Sequence, residues 1–177
     1  MSRLSITLLV TILHLGILSA EVKDAGPGGF NIGFTLEVNA KPDDVYIKLV
    51  DDVQAWWDPD HTFSGDSSSL RIDDSPGGCF CEKLRNGGGV RHLTVVNAAP
   101  GKMLRMTGGL GPLQALGVAG SLTLILEETS QGSNLDVSYQ VGGYLKDGLA
   151  SWASAVDGVL GEQFGRLKRF IETGNPE

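Results

Sequence analysis

Between residues 149 and 173 the apolar side chains recur at helical spacing, and the rest of the chain must supply a surface for them. Turned at about 100° per residue, Leu149, Trp152, Val156, Val159, Leu160, Phe164, Leu167, Phe170 and Ile171 form one broad face. A helix with a single apolar face is stable only against a second layer. The opposite side carries Ser151, Ser154, Gly158, Gly161 and Gly165 among Glu162, Arg169 and Glu172. Each glycine inside a helix costs about 1 kcal/mol relative to alanine. That stripe is either plain exposed surface or a place where a partner backbone comes close, the second taking the form of a weak homodimer through Gly158, Gly161 and Gly165.

The segments upstream read mostly as strands. Phe30, Ile32, Phe34, Leu36 and Val38 alternate with polar or small residues, the period-two pattern of a half-buried strand. Pro42, followed by Asp43 and Asp44, has the chemistry of a helix start, and residues 53–57 predict a second short helix stopped at Asp58-Pro59. Residues 70–72, 79–84, 90–98, 103–107, 120–127 and 134–141 are apolar-biased runs of strand length. Turn clusters such as Asn86-Gly87-Gly88-Gly89 and Ala99-Pro100-Gly101 separate them, so consecutive strands pair as antiparallel hairpins. The predicted fold class is α+β: a curved antiparallel sheet of six to seven strands wrapped around the long C-terminal helix, with two short helices after the first strand. The space between sheet and helix is the default ligand site.

Charge narrows the partners. With 41% apolar and 20% charged residues the chain has the composition of one globular domain. Its formal net charge of -7 and scattered basic residues, Arg166, Lys168 and Arg169 excepted, argue against nucleic acid and against anionic membrane surfaces. Met1-Ser2-Arg3, an apolar run over residues 4–18, and Ser19-Ala20 before Glu21 have the pattern of a secretory signal peptide. That run is shorter than the ~20 residues a spanning helix needs, so no stable membrane span is expected after cleavage; an uncleaved anchor is the other reading. The predicted division is a signal peptide over 1–20, a flexible polar leader over 21–28 and a single domain over 29–173, with the mature protein exported to the periplasm or secreted.

Cys79 and Cys81 are the only cysteines. On an extended strand, residues two apart are about 6.6 Å apart with parallel side chains, whereas a disulfide needs Cβ atoms at about 3.8 Å. Strand geometry therefore predicts two free thiols, either small apolar packing groups or a thiolate pair for metal or redox chemistry.

Several motifs carry a family likeness. The run from Phe34 to Tyr46 (FTLEVNAKPDDVY) followed by Trp56-Trp57, and Gly142-Gly143-Tyr144 before a helix ending LGEQFGRLK at 160–168, resemble the START-like (SRPBCC) superfamily over about residues 30–172. WWDPDHTFSG (56–65), GGCFCE (77–82) and GLGPLQ (109–114) are most similar to bacterial proteins grouped with the activator of the 90-kDa heat-shock ATPase and with polyketide cyclases. The resemblance implies a helix-grip fold with a deep, largely apolar cavity. Members range from lipid carriers to cyclases, so it implies architecture more than activity. A secretory leader departs from the chaperone-activator pattern, whose partner is cytosolic.

Two functional readings follow. In the first the protein carries a small apolar or amphipathic molecule, held by Trp56, Trp57, Tyr139, Tyr144, Trp152 and an apolar tip over 108–118 that includes Leu110 and Leu113 and acts as a lid or a core-packed turn. In the second, a cyclase- or hydrolase-type enzyme uses the same cavity with His61, Glu82 and His92 as acid and base groups. His61 is alternatively a turn-capping histidine. Glu82 and His92 sit nearly opposite if 86–89 makes a hairpin and could form a buried pair; an outward Glu82 is favoured over that, because unpaired carboxylates are rarely buried. No G-x-S-x-G elbow or phosphate loop is present. Among Asp58, Asp60, His61, Cys79, Cys81 and His92 no spacing is diagnostic of a metal, and no cofactor is implied. Few polar groups must point into the cavity, which favours the carrier.

Overall fold

The computed structural model describes residues 21–177. Its sheet is built from β1 (Glu21–Gly26), β2 (Gly29–Val38), β3 (Leu70–Ile72), β4 (Cys79–Lys83), β5 (Gly89–Ala99), β6 (Met103–Gly108), β7 (Gly117–Thr129) and β8 (Gly132–Tyr144). The spatial order is β1-β2-β8-β7-β6-β5-β4-β3 with every neighbouring pair antiparallel, so the N-terminal hairpin joins the last strand and the sheet stays open between edges β1 and β3. After β2 come α1 (Pro42–Asp51) and α2 (Val53–Trp56), and the chain ends in α3 (Ala153–Thr173), entered through a 3-10 turn at Ala150–Trp152. A curved antiparallel sheet gripping one long C-terminal helix is a helix-grip fold.

Alternation along β2 buries Phe30, Ile32, Leu36 and Val38, and the face of α3 buries Leu160, Phe164 and Leu167 into the same cluster. Phe34 meets Phe164 edge-on, with ring centroids 6.1 Å apart. In α1, Pro42 takes a first-turn position with Asp43 and Asp44, while Tyr46 donates to Asp74 Oδ2 at 2.8 Å and ties the helix to the β3–β4 connection. Gly174, at φ 80°, ends α3 in the left-handed region that glycine occupies freely, its N–H donating to Phe170 O. A Cβ at Gly158 would meet nothing, and one at Gly165 only the tip of Arg169.

Three expectations are corrected. The predicted flexible leader is ordered over its first six residues: Glu21–Gly26 pairs with β2 in the register Glu21↔Gly33 to Gly26↔Gly29. A ladder needs backbone groups rather than apolar side chains, so an edge strand offering chiefly Val22 and Ala25 leaves no hydrophobic pattern. It also raises the sheet from six or seven strands to eight. Third, Cys79 and Cys81 form a disulfide, with Cα atoms 5.4 Å apart. The ideal-strand spacing fails because β4 lies against a bulge: Phe80 pairs with Leu93 and Cys81 with Arg91, and His92 is the extra residue. The signal-peptide expectation concerns residues 1–20, which lie outside the described residues. No helix among the described residues is long and apolar enough to cross a membrane.

Candidate functional site

A cavity of about 340 Å³ opens where α3 faces two loops. Trp152 at the end of the 3-10 turn and Ala155, Val156, Val159 and Leu160 of α3 form an i, i+3, i+4, i+7, i+8 stripe turned to the same space. The loop after α2 contributes Trp57, Asp60, His61, Thr62 and Phe63; the β6–β7 connection contributes Leu110, Gly111, Pro112 and Leu113; β5 contributes His92.

The β6–β7 connection is held from beneath. Tyr139 on β8 is fully buried, its hydroxyl donating to Gly108 O at 2.9 Å and accepting from Leu110 N at 3.0 Å. Burial pushes the phenol pKa up to about 12, so it stays a hydroxyl able to serve both partners. Gly120 on β7 makes room for it, since a Cβ there would lie 2.4 Å from the tyrosine ring. With Leu113 fully buried, the segment is a core-packed turn whose apolar side faces the cavity.

The loop after α2 is fixed by its own turn chemistry and by α3. Asp58 Oδ1 accepts from Asp60 N at 2.9 Å, capping the 3-10 turn Pro59–His61, and Trp57 Nε1 donates to His61 O at 3.1 Å. From α3, buried Gln163 accepts from Asp58 N through Oε1 at 2.8 Å, and its Nε2 lies 3.0 Å from His61 Nδ1. With the amide oxygen used by Asp58, the amide nitrogen donates, which makes His61 Nδ1 an acceptor and leaves the proton on Nε2.

Behind the wall lies a buried hydrogen-bonded pair, the carboxylate of Glu82 and the imidazole of His92. Glu82 accepts from Phe63 N at 3.0 Å and from Ser64 N, and its Oε2 is 3.0 Å from His92 Nε2. Burial alone would raise the Glu82 carboxyl, but hydrogen bonds from Ser64, Phe63 and His92 outweigh it and hold the pKa below the usual glutamate range. Burial drives His92 downward more strongly than Glu82 raises it, so the imidazole is neutral near pH 7. The His92 ring meets those of Phe63 and Phe80 at a tilt of 36°, with centroids 5.8 and 5.0 Å away. Glu82 thus turns inward, correcting the outward orientation favoured on its charge: three donors supply what an unpaired carboxylate would lack.

The structure brings together His61, His92, Trp57, Trp152, Leu110 and Leu113 as wall residues, with Glu82 one layer back. It separates three others from them. Trp57 leaves α2 in extended backbone toward the cavity, whereas Trp56, the last residue of α2, faces the core, its ring 6.0 Å from Phe164 and its Nε1 donating to Lys48 O. Tyr139 lies under the tip rather than in the wall. Tyr144 is 78% exposed because the inward residues of β8 are Leu135, Val137, Tyr139 and Val141, and position 144 has the opposite parity. Sequence reasoning missed Gln163; its signal is a polar residue beside Leu160 and Phe164 on the apolar face. Asp58, His61 and Glu162 bring ligand atoms within 4.8 Å of one another, yet Asp58 caps its turn and His61 Nδ1 is engaged by Gln163.

No protein-family model and no curated protein matches the chain. Solved structures do. SA2116 from Staphylococcus aureus, a protein of unknown function, superposes with a TM-score of 0.60 at 15% identity, over 82% of this chain and 95% of that one. MLL2253 from Mesorhizobium loti gives 0.55 at 18% identity over 80% and 96%. DynU16, a protein of the dynemicin biosynthetic locus, gives 0.57 at 18% identity over 82% of this chain and 48% of its own, so this chain spans about half of it. At these identities the likeness is one of fold, and it fits the helix-grip architecture described above.

Proposed function

We propose that this chain is a START-like protein that binds one small apolar or amphipathic molecule in the cavity between α3, the 57–63 loop and the 110–113 tip. The observation that carries this reading is the cavity itself: about 340 Å³ with mostly apolar walls, interrupted by Asp60, His61, Thr62 and His92. An engineered cavity of about 150 Å³ takes one benzene, so this one suits a molecule of about two fused rings. Residues 1–20 act in this reading as a signal peptide, and the Cys79–Cys81 disulfide supports an oxidising compartment outside the cytosol.

A carrier is preferred to an enzyme because the carboxylate that would act as a base is already committed. Both Glu82 oxygens take protein donors and neither belongs to the wall, so Glu82 holds His92 and the 63–64 backbone in place. The test is a thermal-shift and tryptophan-quenching titration with two-ring aromatic probes, alongside native mass spectrometry of protein from its own host. Saturable quenching with a rising melting temperature is expected. A broad apolar library giving neither, and no co-purified small molecule, would end the proposal.

A further inference from the structure

We infer that the molecule bound in this cavity is an aromatic alcohol, a flat ring system whose hydroxyl donates a hydrogen bond to His92 Nδ1; this rests on the ligand-binding reading above. The polarity of the Glu82–His92 contact is fixed by what surrounds it. Oε1 of Glu82 faces Ser64 N, and Oε2 faces Phe63 N and His92 Nε2, so every neighbour that contributes an N–H needs the carboxylate as an acceptor. The nitrogen of His92 turned to that carboxylate therefore carries the proton, and in a neutral imidazole the other nitrogen is a bare lone pair. Nδ1 is buried, in a residue 4% exposed, and has no hydrogen-bond partner among the described residues.

The rest of the wall does not supply that donor. Thr62 Oγ1 donates to Pro59 O, Asp60 offers a carboxylate, and the N–H that His61 keeps on Nε2 makes no bond to Nδ1 of His92. His92 belongs to the wall and has the rings of Phe63 and Phe80 beside it, each tilted 36° to its own. A planar aromatic group fits that setting, and its hydroxyl is the donor that a buried acceptor lacks. An ether or ketone of the same size brings no donor. A carboxylate brings only acceptors and adds a second negative charge near Glu82.

The experiment compares 2-naphthol, 2-methoxynaphthalene, naphthalene and 2-naphthoate on the full-length mature protein, by calorimetry and tryptophan quenching. Binding of 2-naphthol about tenfold tighter than the ether and the hydrocarbon is expected, one net buried hydrogen bond being of that size, with 2-naphthoate weaker still. In ¹⁵N-labelled protein, 2-naphthol should shift the unprotonated ring nitrogen of His92, and the ether should not. His92→Phe should bring the three neutral probes to within about twofold of each other; should that variant fail to fold, the nitrogen shift in the wild type decides. Equal affinity for naphthol and its ether, or naphthol binding with an unmoved Nδ1 resonance, overturns the inference and leaves the cavity reading standing. Binding by none of the four overturns both.

Discussion

Gln163 Nε2 lies 3.0 Å from His61 Nδ1, while the same amide accepts from Asp58 N, so one buried side chain of α3 holds both ends of the turn beside the cavity mouth. Gln163→Leu keeps the volume roughly constant but strands the Asp58 amide and frees the His61 ring. Leaving one buried donor unpaired costs about 1–3 kcal/mol. Urea unfolding should show a loss in that range with an unchanged m-value, together with weaker probe binding. A variant as stable as wild type would mean that the turn holds itself.

Acid should destabilise the protein through the Glu82–His92 pair. Both groups are depressed in the folded state: His92 because burial disfavours its charged form, Glu82 because its hydrogen bonds outweigh burial. The unfolded chain therefore binds more protons in the windows below the ordinary values of 6.5 for histidine and 4.5 for glutamate, and stability falls as pH drops through each. The melting temperature is expected to fall from pH 7 to pH 4, with the upper part of that fall reduced in His92→Phe. A flat profile down to pH 4 would contradict the assignment of charge.

The strands of the sheet and the long helix were legible because their patterns come from burial on one face: Ile32, Leu36 and Val38 on β2, Leu160, Phe164 and Leu167 on α3. What escaped depends on backbone. β1 is held by a ladder whose side chains are mostly solvated. The bulge at His92 makes His92 and Leu93 adjacent buried residues, which strict alternation forbids, and it also upsets the spacing argument at Cys79 and Cys81. In the site, the pairing of Glu82 with His92 could be read from the hairpin. The inward turn of Glu82 could not, because two of its three donors are backbone amides of a loop 18 and 19 residues earlier.

Tyr139→Phe should loosen the 108–113 tip without disturbing the sheet. The hydroxyl is the shared partner of Gly108 O and Leu110 N, and its removal leaves both buried groups short of one bond at a cost of about 1–3 kcal/mol. Gly120→Ala strikes the same ring from the other side, since its Cβ would lie 2.4 Å from Tyr139, and overpacking of that kind costs about 1–3 kcal/mol. Both variants should release a bound probe faster in stopped-flow quenching. Unchanged dissociation in both would show that the tip does not retain the ligand.

The two tryptophans in the wall should be separable from the one behind it. Trp57 and Trp152 line the cavity, whereas Trp56 is buried against Phe164. Trp152→Ala removes a partly exposed wall residue and should lower both probe affinity and quenching, with little loss of fold stability. Trp56→Ala should cost about 3–5 kcal/mol of stability as a core truncation. His61→Ala should leave probe binding nearly intact, as its carbonyl still accepts from Trp57 Nε1 and the ring nitrogen it loses is turned to Gln163. Tyr144→Ala, on the exposed end of β8, should change neither stability nor binding. Probe binding that survives Trp152→Ala at full strength but disappears in Tyr144→Ala would move the ligand away from this cavity altogether.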